Sequence, residues 1–107
     1  MCRQVLVQRL LWAPMKTATT TIVNRLGLHA RPCAMLVGVA SKFQSEIWLE
    51  RDGLKVNGKS IMGVMMLAAE QGTALTITAE GPDEEASILA VCEVIASGFN
   101  EMRQLPQ

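Results

Sequence analysis

Glu46-Ile47-Trp48-Leu49-Glu50-Arg51-Asp52-Gly53-Leu54-Lys55-Val56 is the stretch that decides the fold. From Glu46 to Glu50 polar and apolar residues alternate, the two-residue period of a half-buried strand. Asp52-Gly53 is a hairpin turn signal, because such a turn needs left-handed backbone that glycine adopts freely. Leu54-Lys55-Val56 then supplies the return strand. A hairpin makes this pair antiparallel, and the rest of the chain has to be arranged around it.

Upstream, Thr19 to Val23 is β-branched throughout and predicts a first strand. Cys33, Leu36, Val37 and Ala40 recur at i, i+3, i+4 and i+7, the spacing of one helix face. Downstream, Ser60 is placed to cap a short helix running through Leu67. Leu75-Thr76-Ile77-Thr78-Ala79 alternates again, with its threonines on the other face. Pro82-Asp83-Glu84-Glu85 opens a last helix, acidic residues being favourable near the positive end of the helix dipole. Its apolar face is predicted as Ile88, Val91, Cys92, Ile95 and Phe99. The order βαββαβα implies a two-layer α+β domain, a four-stranded antiparallel sheet with three helices on one face.

Composition bounds the function without choosing it. The chain has 107 residues, half of them hydrophobic, enough for one compact domain and against a disordered one. Lys+Arg and Asp+Glu both total 10, so no overall charge points to nucleic acid or an anionic membrane. Cys2, Cys33 and Cys92 are odd in number and far apart. They contain no CxxC pair, and a single histidine does not complete a zinc site with them. Reduced thiols in a cytoplasmic protein are the simplest account, and no metal or cofactor is expected. No apolar run reaches the length of a membrane span.

The single histidine lies in Asn24-Arg25-Leu26-Gly27-Leu28-His29-Ala30-Arg31-Pro32. Gly27 permits a tight bend, so His29 falls at or just before the start of the first helix. The first amides of a helix lack intrahelical acceptors and carry the positive end of its dipole, which suits a phosphate. An isolated histidine is more often a half-buried or capping residue; the adjoining Gly27, Arg31 and helix start shift the weight toward function. A phosphate on His29 would meet the amides of Ala30 and Arg31. The Arg31 guanidinium offers charge-assisted contacts to phosphate oxygens, against the plain alternative of a solvated surface charge. Pro32 in the first turn costs little, although it disfavours helical backbone at Arg31.

Gly27-Leu28-His29-Ala30-Arg31-Pro32 resembles the active-site signature of HPr, the histidine-containing phosphocarrier family of the bacterial phosphoenolpyruvate-dependent phosphotransferase system. Val56-Asn57-Gly58-Lys59-Ser60-Ile61-Met62-Gly63-Val64-Met65 resembles the region of that family's regulatory serine. The resemblance runs from about Met15 to about Met102. It implies an open-faced sandwich with the element order already read. It also implies that His29 receives a phosphoryl group on Nδ1 from phosphorylated enzyme I and passes it to an enzyme IIA domain. Arg31 then assists the transfer. The protein would be a covalent substrate in its partners' reactions rather than a self-contained enzyme.

Ser60 is both a helix cap and, by the resemblance, a target of HPr kinase/phosphorylase. Ile61, Met62, Val64, Met65, Met66 and Leu67 leave the second helix apolar nearly all round, so one side has to face outward. Met62 and Met65 or Met66 are the expected outward set. Adaptable methionines suit a surface that several partners share, and the resemblance makes this helix and the one after His29 that docking surface. Cys33 stands where the family pattern has alanine, and its place on an apolar stripe reads as a small buried filler. Residues 1–14 read as an upstream extension and 15–107 as the phosphocarrier domain. Two other readings stay open at this level. One is a nitrogen-branch paralogue that phosphorylates a regulatory acceptor. The other is a non-phosphorylated regulatory module that binds through the apolar second helix.

Overall fold

The computed structural model of the chain describes residues 16–100. The extension expected over residues 1–14 lies outside the described residues. The elements are β1 (Lys16–Thr21), α1 (Ala30–Ala40), β2 (Glu46–Arg51), β3 (Leu54–Asn57), α2 (Ile61–Met66), β4 (Ala74–Glu80), α3 (Glu84–Ala96) and a short turn of 3₁₀ helix, Gly98–Asn100. This is the expected βαββαβα order, an α+β open-faced sandwich.

The sheet is antiparallel throughout, in the order β1-β4-β2-β3. Leu49 faces Val56 across the hairpin and Ile77 across the central pair. All three are buried, as are Ile47, Leu75 and Ala79, so one pleated face is apolar and meets the helices. From the helical layer Cys33, Leu36, Val37 and Ala40 of α1 enter the same core with Val64 of α2 and Ile88, Val91 and Ile95 of α3. The periodicity of α1 is therefore satisfied residue for residue.

Two local expectations need correction. β1 covers Lys16–Thr21, not Thr19–Val23. Its pairing with β4 runs from Lys16 opposite Ala79 to Thr21 opposite Ala74, so partner register and not β-branching set its limits. Ile22 nevertheless stays tied, donating to the carbonyl of Thr73 at 2.9 Å and accepting from the amide of Gly72 at 2.8 Å. Second, Phe99 is not on the α3 face. The helix ends at Ala96, and Gly98, Phe99 and Asn100 all take positive φ, 70°, 57° and 64°. That left-handed turn, opened by a glycine, swings Phe99 into the core, where it is buried. The acidic first turn expected of α3 is present as Glu84 and Glu85, and the Asp83 carboxylate before it makes no cap bond and reaches back to the segment entering β2.

Candidate functional site

The segment before α1 is a turn anchored from below. Asn24 is fully buried; its carbonyl accepts the Gly27 amide at 3.2 Å and its Nδ2 donates to the Gly27 carbonyl at 2.9 Å. Gly27 has φ +67°, and a β-carbon there would run into the Ala69 carbonyl and stand 2.9 Å from Glu70 Cα. Both the backbone sign and the lack of space demand glycine. Leu28 donates its amide to that same Ala69 carbonyl at 2.9 Å. The loop is thus pressed against the connection between α2 and β4.

His29 comes next as the N-cap of α1, extended at φ −86° and ψ −173°, and half-buried. Its carbonyl accepts the Cys33 amide at 3.1 Å, the first helical bond. Ala30 and Arg31 occupy the first turn and are exposed. Their amides have no acceptor within the helix, so the positive end of α1 opens beside the imidazole. Arg31 lies within α1 although it precedes Pro32, and Pro32 falls where no carbonyl awaits an amide. Beneath the loop Cys33 is completely buried, and its thiol lies 3.5 Å from the Leu28 carbonyl. Burial pushes that thiol up from its ordinary range, so it fills space and resists forming thiolate.

Ser60 is the N-cap of α2, its Oγ accepting the Gly63 amide at 3.0 Å. The neighbouring Lys59 ammonium donates to the Phe43 carbonyl at 2.7 Å, so it is engaged in structure. Along α2, Val64 and Leu67 turn inward and are buried. Met62, Met65 and Met66 are exposed by 73%, 44% and 63%, so all three candidates, not two, face outward. Ile61 joins them, and Leu26 projects from the His29 loop with 69% exposure; neither was singled out from the sequence. α1 and α2 pack directly on each other, which puts the His29 and Ser60 helix ends on adjoining elements. Among the described residues no group of three His, Cys, Asp or Glu side chains gathers as a metal site, and no helix is long and apolar enough to cross a membrane.

Fold and site together define an open-faced α+β sandwich that presents one histidine at a helix N-terminus. The family model described as "PTS HPr component phosphorylation site" matches residues 16–97. The phosphocarrier protein HPr of Treponema pallidum is 47% identical over 87 residues, covering 81% of this chain and 99% of that protein. That of Cupriavidus necator is 49% identical over 82 residues, covering 77% and 92%. Among solved structures, an HPr from Thermoanaerobacter tengcongensis superposes with a TM-score of 0.77 at 52% identity, over 79% of this chain and 96% of that one. The HPr of Bacillus anthracis gives 0.73 at 41% identity, over 76% and 96%. The chain belongs to the HPr family, the phosphocarrier component of the phosphotransferase system.

Proposed function

We propose that His29 accepts a phosphoryl group from phosphorylated enzyme I in the cytoplasm and hands it to an enzyme IIA component. The observation that carries this reading is the position of His29 as the N-cap of α1. An imidazole nitrogen forms its bond to phosphorus while the bond from phosphorus to the donor breaks, the donor keeping that electron pair. The phosphoryl oxygens then lie beside the Ala30 and Arg31 amides and within the reach of a flexible, exposed Arg31. Such an arrangement stabilises the transferred group without positioning a water to attack it, which is what a carrier needs. Met62, Met65 and Met66 supply an adaptable apolar surface for enzyme I and the acceptor in turn. Phosphorylation of Ser60 by HPr kinase/phosphorylase would add nearly two negative charges at the edge of that surface.

Incubation with phosphoenolpyruvate and enzyme I tests the reading. One acid-labile, alkali-stable phosphate on His29 is expected, and none on His29→Ala. Full labelling of the alanine variant would sink the proposal.

A further inference from the structure

Arg51, the last residue of β2, crosses from the sheet to the helical layer. Its Nη1 donates to the carbonyls of Leu67 at 3.0 Å and Ala68 at 2.7 Å, and its Nε lies 3.5 Å from the Asp52 carboxylate. Leu67 is the C-cap of α2, and carbonyls at a helix C-terminus lack helical donors and carry the negative end of the dipole. Ala68 has φ +48°, a left-handed conformation that a residue with a β-carbon adopts only under constraint. The guanidinium bonds the carbonyls on both sides of that residue, whose own amide donates to the Met65 carbonyl at 3.1 Å.

The next residue, Ala69, supports the proposed phosphoacceptor. It is buried, its carbonyl holds the Leu28 amide, and Gly27 packs against it with no room for a methyl group. His29 is bonded on both sides, its amide to the Gly27 carbonyl at 3.0 Å and its carbonyl to the Cys33 amide. A displacement of the 68–69 backbone therefore passes directly to Gly27, Leu28 and the N-cap of α1. We infer that Arg51 is a positioning residue for His29, acting through the Leu67–Ala69 turn. This rests on the reading of His29 as phosphoacceptor. Lysine is a poor substitute, because a point charge on a flexible stem lacks the fixed, planar donor geometry with which the guanidinium holds the two carbonyls.

The test compares the full chain with Arg51→Ala and Arg51→Lys, using phosphorylated enzyme I as donor and amide hydrogen exchange as an activity-independent readout. For Arg51→Ala the expected loss is about tenfold in kcat for His29 labelling, with KM within about twofold of the parent. Exchange at the Leu28 amide should quicken about tenfold while Ile77, in the centre of β4, keeps the parental rate. Arg51→Lys should fall between the two in both readouts. Parental kcat beside faster Leu28 exchange overturns the inference. So does a rise in KM alone, which would make Arg51 a docking contact, or equal acceleration at Ile77, which would make it a general stabiliser. A parent that takes no label fails differently, because the reading of His29 itself then falls.

Discussion

The carboxylate of Asp83, at the start of α3, accepts both the backbone amide and the hydroxyl of Ser45, at the entry to β2. Its second oxygen accepts the Gln44 amide at 3.0 Å, and Ser45 Oγ in turn accepts the Asp83 amide at 3.2 Å. Ser45 is buried, so its hydroxyl and amide find their partner in this reciprocal set, while Asp83 and Gln44 stay open to solvent at the end of the sandwich. Every one of these bonds to the carboxylate favours its ionised form. The Ser45 hydroxyl first, then the Gln44 amide, hold its pKa below the ordinary carboxylate range.

Stability should therefore depend on pH through Asp83. A carboxyl whose folded pKa is depressed stabilises the fold above its unfolded value, roughly pH 4, and loses that contribution as pH falls through the folded value. Asp83→Asn should be less stable than the parent at neutral pH, and the gap should close below about pH 4. Urea unfolding from about pH 2.5 to 7 measures it. A constant gap across that range would remove ionisation from the explanation.

Gly27→Ala combines two faults, a β-carbon at φ +67° and a collision with the Ala69 carbonyl. Left-handed strain and overpacking together should cost roughly 2–4 kcal/mol. Chemical denaturation gives the stability, and His29 labelling should slow as well because the loop must move. A cost below about 1 kcal/mol would show that the loop yields easily.

Arg31→Ala should fold as the parent does, since its side chain is exposed and supports no core residue. Its effect belongs in chemistry, as slower phosphoryl transfer to His29 and from it, measured by rapid quench at matched enzyme I. Unchanged rates in both directions would leave Arg31 a surface charge.

At Ser60 stability and signalling should separate. Ser60→Ala loses the bond to Gly63 and should cost about 0.5–2 kcal/mol, with His29 still competent. Ser60→Asp should keep the cap, because aspartate caps well and suits the dipole. It should still slow labelling by enzyme I in part, through a charge placed beside the exposed methionines. Thermal melts beside labelling rates at low salt decide between the two effects. Parental labelling of Ser60→Asp would leave Ser60 a structural cap alone.

Much of the fold and the site is legible in the order of residues. The alternation of Ile47 and Leu49, the Asp52-Gly53 turn, the Cys33–Ala40 stripe and the capping serine are local patterns, and local patterns derive from strand and helix periods. His29 at a helix start is equally legible, because Gly27 and the apolar spacing after Pro32 mark the boundary. Phe99 misleads for the same reason: it continues the i, i+4 series from Ile95 although Gly98 has already ended the helix.

By itself, then, the amino-acid sequence determined the order of elements, the face each one buries and the chemistry available at His29, all of which act within a few residues along the chain. Only the tertiary structure decided that β4 lies between β1 and β2, that Asp83 serves Ser45 instead of its own helix, and that Arg51 and Ala69 stand behind the His29 loop. The side-chain and backbone bonds behind the last two relations join residues from 16 to 41 positions apart. Hydrophobic periodicity records which side of an element is buried, not which distant backbone it will meet, and that choice is made when the whole core closes.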